Sequence, residues 1–199
     1  MDLGEHRVLF VAVTGILALL VASPVLSRLL VLPRTEFFTE LWILGPNHTT
    51  EDYPFNISSN HDYSVFLGIG NHLGHCAYYV VEMKFRNQTQ SAPNSFNRTP
   101  SNLPALYNIT AFVADEGVWE MPLTFSLDYE YNETLLQHEF YSLTLNDVEL
   151  NMKNYTVAWD DNNNGFFANL FFELWVYNKT VGNFQYHERF LNLLLNMTH

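Results

Sequence analysis

Two packed antiparallel β-sheets behind one N-terminal hydrophobic helix are predicted for this 199-residue chain by three observations. Apolar and polar residues alternate in several stretches after residue 36, as half-buried strands require. Aromatics make up 16% of the chain, led by 16 Phe and 11 Tyr, which pack well on pleated surfaces. The one long apolar run lies near the start, and no long polar-faced helix follows it. At a hydrophobic content of 48% the chain can bury a continuous core.

Val8 to Ser27 carries no charge over 20 residues. As a helix rising about 1.5 Å per residue it covers about 30 Å, the thickness of a bilayer core. Pro24 can kink its far end. A second apolar patch, Leu29 to Leu32, follows Arg28, whose long side chain can snorkel to the headgroups. Residues 1–34 are therefore expected to form a membrane anchor with its helix at 8–32. A signal peptide cut after Val21-Ala22-Ser23 is the alternative, disfavoured because Pro24 would open the mature chain. The remainder, 35–199, is expected to be one extracellular domain.

Charge and sequons bear on where that domain lies. The chain has a formal charge of −12, and after residue 34 it holds 19 acidic against 6 basic side chains. Such a surface repels a phosphate backbone, so no nucleic-acid partner is expected. Nine Asn-x-Ser/Thr sites begin at Asn47, Asn56, Asn87, Asn97, Asn108, Asn132, Asn154, Asn178 and Asn196. With 21 Asn and 21 Ser or Thr among the 165 positions after residue 34, chance gives about 2.7. The threefold excess predicts N-linked glycans, with the N-terminus inside and the domain outside the cell membrane.

Taken in order, the strands begin with Phe37 to Leu44. Tyr63, Val65, Leu67 and Ile69 share one face of the next. Ala77, Tyr79, Val81, Met83 and Phe85 alternate against Glu82 and Lys84. The cleanest alternation is Trp119, Met121, Leu123, Phe125 and Leu127. Ser142 to Leu145, Asn146-Asp147 and Val148 to Leu150 read as a tight hairpin, since Asn and Asp tolerate positive φ. Leu170 to Tyr177 is apolar on both faces, which predicts a central strand, and Leu191, Leu193 and Leu195 supply a last one. Eight or nine short strands result, with a long surface loop at 87–104 rich in Asn, Ser, Thr and Pro.

Candidate chemistry is sparse. Asp160-Asp161-Asn162-Asn163-Asn164-Gly165 fits the first half of a calcium loop, with Asp160, Asn162 and Asn164 as alternate oxygen ligands. The acid expected at position twelve is replaced by Phe171, and a polar hairpin accounts for the same residues. His72 and His75 can share a metal only with a third ligand, and a turn with exposed histidines is the simpler reading. Gly68-x-Gly70 opens no helix and is no dinucleotide loop. Asp115-Glu116 and Asp128-Glu130 sit near strand ends, where solvated turns explain them. Cys76, the single cysteine, is expected to be a buried free thiol beside a strand. Trp42, Trp119 and Trp175 lie within strand patterns and are expected in the core, whereas Trp159 borders the acidic turn.

The run Phe38-Thr39-Glu40-Leu41-Trp42-Ile43-Leu44-Gly45-Pro46, then Glu51-Asp52-Tyr53-Pro54, Gly68-Ile69-Gly70-Asn71-His72, Val118-Trp119-Glu120, Gly165-Phe166-Phe167 and Leu170 to Asn178, carries a family resemblance. It is similar to the extracellular part of an archaeal family of predicted membrane proteins with no assigned function, domain-of-unknown-function family 1616. The resemblance covers nearly all of residues 36–198 and implies an immunoglobulin-like sandwich displayed on an archaeal cell surface. Longer members carry several membrane helices before this domain, whereas this chain has one, and the family lends no catalytic residues. The expected function is a non-catalytic binding or envelope-structural role, with an envelope protein or glycan as partner. Alternatives are a pilin-like filament or lattice subunit, and a calcium-dependent glycan binder or envelope-associated hydrolase.

Overall fold

The computed structural model describes residues 3–29 and 36–198. It divides into two units, Met1–Phe37 and Phe38–His199. In the first, α1 (Leu3–Leu29) runs through Pro24. Its His6–Ser23 stretch has a mean hydropathy of 2.0, long and apolar enough to cross a membrane. Thr14 turns its hydroxyl onto the Phe10 carbonyl at 2.7 Å, which satisfies that hydroxyl on an apolar stretch of helix. The side chain of Arg28 and the apolar patch beyond it lie outside the described residues.

The second unit is a β-sandwich. Its first sheet orders β1 (Phe38–Leu44), β3 (Tyr63–His72), β6 (Gly117–Asn132), β7 (Gln137–Leu145) and β8 (Val148–Asn151), with β9 (Thr156–Ala158) also pairing β7. The second orders β2 (Asn56–Ile57), β11 (Asn183–Met197), β10 (Phe167–Asn178), β4 (Ala77–Asn87) and β5 (Tyr107–Val113). Every pairing is antiparallel except the two-residue contact of β2 with β11. Inward residues of each strand fill one core: Val65, Leu67 and Ile69 from β3, Leu123, Phe125 and Leu127 from β6, Tyr79, Val81, Met83 and Phe85 from β4, and Leu170, Phe172 and Leu174 from β10.

The expected hairpin forms at Asn146 and Asp147, with φ of 44° and 66°. Asn146 also closes the neighbouring strand: its backbone N–H donates to the Thr124 carbonyl and its Oδ1 accepts the Thr124 N–H, each at 2.8 Å. Pro122 stands just beyond the last pair that β7 makes with β6, where that edge needs no donor.

Several expectations are corrected. Among the described residues the strands number eleven, and β6 and β11 reach 16 and 15 residues. Cys76 is exposed, because β4 begins at Ala77 with that side chain inward and Cys76 belongs to the preceding turn. Trp119 packs against the core, but Trp42 and Trp175 do not. Trp42 lies over Gly68, where an added Cβ would meet its indole at 2.1 Å, and this explains the Gly68-x-Gly70 spacing. Trp175 pairs in register with Val80 and Tyr186 on the outer side of the second sheet.

The segment 88–106 is not simply a surface loop, since Pro93 and Ser101 are buried. It covers a buried ion pair on the outer side of the second sheet. Lys84 (β4) meets Glu173 (β10) at 2.7 Å and Glu82 at 3.0 Å. The Lys84 ammonium also donates to the Ser101 carbonyl at 3.1 Å, while the Ser101 N–H donates to the second Glu173 oxygen at 2.6 Å. Both charges are thus bonded to each other and to the loop above them.

A second polar chain crosses between the sheets. His187 Nε2 lies 2.8 Å from Thr39 Oγ1, which lies 3.1 Å from the Tyr79 hydroxyl, itself donating to Asn71 Oδ1 at 3.1 Å. The Asn71 amide donates to the carbonyls of His75, Val113 and Ala114, so one side chain ties two end loops together. Burial holds His187 below its ordinary pKa; Arg189 adds to that shift and Glu188 opposes it.

Removing one buried charge leaves its partner unpaired. Lys84→Met should therefore cost about 3–5 kcal/mol in guanidinium unfolding of the detergent-solubilised chain, and Lys84→Met with Glu173→Leu should recover most of that loss. The lowered pKa of His187 means the unfolded chain takes up its proton first. Its contribution is full above about pH 6.5, and it declines as pH falls from there toward the lower folded value. Thermal midpoints measured across that window should fall less steeply for His187→Gln than for the natural chain.

Candidate binding face

Strand register alone assembles the surface most suited to binding. Phe112 pairs with Tyr78, and Tyr177 with Phe184, while the Val176–Tyr79 pair sets Tyr177 beside Tyr78. Residues directly opposite share a face, so Phe112, Tyr78, Tyr177 and Phe184 form one row across β5, β4, β10 and β11. The next row is Thr110, Val80, Trp175 and Tyr186. Both rows face away from the core, and neither contains a charge.

These rings stand in water. Phe112 is 70% exposed, Tyr177 44% and Tyr78 40%. Tyr78 and Phe184 centre 5.3 Å apart, Tyr177 and Phe184 5.4 Å, and Trp175 and Tyr186 5.5 Å. Their planes cross at 58–71°, giving a corrugated patch instead of a flat platform. The Trp175 indole N–H is buried without a hydrogen-bond partner. Burial drives the Tyr186 hydroxyl up to about 12, with Glu173 and Glu188 adding to the shift, so it stays a neutral donor. A groove of about 420 Å³ continues the patch past Cys76, Ala77, Asn178 and Gln185. Below the second row the face changes character, since there Glu173 and Lys84 lie under the 88–106 segment.

None of the nine sequon asparagines is buried. Asn47, Asn56, Asn97, Asn108 and Asn154 are exposed, and Asn87, Asn132, Asn178 and Asn196 are half-buried. Asn87, Asn132 and Asn178 end β4, β6 and β10, where each Oδ1 accepts the N–H two residues on, at 3.1, 3.0 and 2.9 Å. Turn chemistry by itself gives Asn-x-Thr a structural use there. Asn196 donates to Asn56 at 3.0 Å.

The Asp160 segment is a turn closed on itself. Asp160 and Gly165 bridge, and Asn164 has φ of 53°. Asp160 Oδ1 accepts the N–H groups of Asn162 and Asn163 at 2.9 and 3.3 Å, and Oδ2 accepts the Asn163 amide at 2.7 Å. The Asn163 side chain is the main cause holding the carboxyl below its ordinary range. Trp159, 45% exposed, packs edge-on to Phe166 at 5.1 Å. Among the described residues no group of three His, Cys, Asp or Glu side chains is placed to hold a metal.

The other candidates separate. His72 is half-buried at the end of β3, 3.0 Å from Glu116 and stacked on Phe38, whereas His75 is exposed and turns to the Leu73 carbonyl. Asp115 accepts the Gly74 N–H at 2.9 Å, Asp128 the Asn60 amide at 3.0 Å, and Glu130 the Tyr141 hydroxyl at 3.0 Å. Glu120 receives the Trp42 indole N–H at 3.1 Å and meets His48 at 3.0 Å. The residues that carry the family resemblance thus converge on folding tasks: Trp42, Gly68 and Glu120 on one sheet face, Asn71 at the loops, Glu173 under its cover.

Residues 32–142, over half of the chain, match the family model described as a domain of unknown function (DUF1616). No curated protein matches the chain. Among solved structures, the β-glucosidase of Listeria innocua in complex with glucose aligns with 82% of this chain at 9% identity and a TM-score of 0.41. This chain spans only 16% of that enzyme's length. A chain from the complex of zinc 2-glycoprotein (ZAG) and prolactin-inducible protein (PIP) of human seminal plasma aligns over 83% of this chain and 99% of its own, at 9% identity and a TM-score of 0.39.

Because Asp160 spends both oxygens on the turn, Asp160→Ala should lower the thermal midpoint equally with and without millimolar calcium. A loss seen only in calcium would assign the turn to an ion instead.

Proposed function

The chain belongs to the DUF1616 family, and we propose that it is a non-catalytic recognition module held at a membrane by α1 and displayed outside the cell. The observation that carries this reading is the uncharged aromatic patch on the outer side of the second sheet. A contiguous patch of Phe, Tyr, Trp and Val on a chain of charge −12 is costly to leave in water, and such patches mark interaction surfaces. Tyr and Trp also supply large contact area with few rotors to freeze. The crossed ring planes suit a protein surface with apolar knobs better than a stacked sugar chain.

Membrane display rests on the length and apolarity of α1 together with the nine sequons, whose asparagines all reach the surface. N-linked glycans would then raise the mass of the native protein above its 23.1 kDa peptide value. An intact-mass measurement on protein from the source cells tests that part directly; a bare peptide mass would contradict it.

The binding part is tested with vesicles bearing the full chain and a sedimented envelope fraction of the source cells as probe. Phe112→Ser with Tyr177→Ser should weaken retention of the vesicles by at least about thirtyfold, the factor that a single aromatic anchor worth about 2 kcal/mol carries. The thermal midpoint should stay unchanged, because both side chains are exposed. Undiminished retention would contradict the assignment.

A further inference from the structure

A sheet edge is a row of unpaired N–H and C=O groups, and natural proteins guard such edges with short strands, charges, bulges or covers. Most edges of this sandwich are guarded. β2 is two residues long, β9 three and β8 four. β5 carries the exposed sequon Asn108 at its edge. β11 meets β2 only at its last residues, but its open stretch is broken by a register shift, by Glu188 at φ 58° and by the charges of Glu188 and Arg189.

β1 differs. Its seven residues, Phe38-Thr39-Glu40-Leu41-Trp42-Ile43-Leu44, contain one charge, no proline and no sequon, and pair with β3 in unbroken register. Its free side opens on a groove of about 680 Å³ bounded opposite by Glu188, Arg189 and Phe190. Tyr53 donates to the Ile43 carbonyl at 2.8 Å from the side where β11 supplies Leu193 and Leu194. Since both backbone groups of a residue point the same way in an antiparallel strand, Thr39, Leu41 and Ile43 present theirs to the open side.

We propose that β1 pairs antiparallel with β1 of a second copy of this chain, centred on Leu41. The strand is self-complementary in that register. Leu41 meets Leu41, Thr39 meets Ile43, and Glu40 falls opposite Trp42 of the second copy, so no like charges face each other. A β1 with one charge is also the edge least affected by repulsion between two chains of charge −12. The Ile43 carbonyl, with a second lone pair beside the Tyr53 bond, accepts the Thr39 N–H of the second copy. Pairing of one identical edge closes at two copies and joins the two first sheets into one continuous sheet, leaving both aromatic patches outside the contact.

The test uses the full chain in detergent and in lipid nanodiscs. Light scattering should give twice the chain mass for the natural protein. In a Cys76→Ser background, Leu41→Cys should cross-link with a short bis-maleimide, because paired Cα atoms lie about 5.5 Å apart. Phe112→Cys, on the guarded β5 edge, should give the same doubled mass but no cross-link. A monomer mass for the natural chain, or cross-linking through position 112 and not 41, overturns the proposal. The latter result would place self-association on the aromatic patch, and loss of vesicle retention would still test that patch separately.

Discussion

A lysine buried on the outside of a sheet is the constraint around which this surface is organised. Lys84 is 3% exposed although it points away from the hydrophobic core. A charge so placed is tolerated only with a close counter-charge and satisfied hydrogen bonds. Glu173 on the adjacent strand is the counter-charge, and Ser101 supplies the backbone groups that complete both. The 88–106 segment is therefore pinned over the lower part of the sheet. What it leaves uncovered is the double aromatic row, bounded on one side by an ion pair that will not move without a large loss of stability.

The rest of the unit follows from similarly specific pairings. Gly68 is bare because the Trp42 indole occupies the place of its Cβ, and Glu120 fixes that indole by its N–H. Tyr129, whose hydroxyl is raised to about 12 by burial, donates to the carbonyls of Ile57 and Thr198 and so clasps the first sheet to the short β2 and the chain end. Asn71 does the same for the loops at the other end. These bonds let a disulfide-free domain hold its end loops, since the lone Cys76 is free and exposed.

Much of the fold was legible in the sequence because period-two alternation maps directly onto sheet faces. β3, β4, β6 and β10 fall where the alternations that begin at Tyr63, Ala77, Trp119 and Leu170 place them, and the two-sided apolarity of β10 marks its central place. Alternation could not show which face would be capped by a loop. Tyr78, Phe112, Tyr177 and Phe184 come together only through register between four strands, two of them separated by more than sixty residues in the chain. The same limit applies to Trp42 and Trp175, since a large aromatic in a strand can lie on either face and these two lie outside the core. Cys76 stands one residue before Ala77 opens β4, so the turn and not the inward face of the strand sets its exposure. The one sequence hint of the covered half is Glu173, the single charge inside the otherwise apolar Leu170 to Tyr177, a local conflict that calls for a partner.

Hydroxyl-radical footprinting of the chain in its native membrane and again after detergent extraction tests the binding face most directly. Phe112, Tyr78 and Tyr177 should be protected in the native envelope and reactive once extracted, while core residues such as Phe172 stay protected in both. Equal reactivity of the three rings in both states would contradict the assignment of that face to a partner.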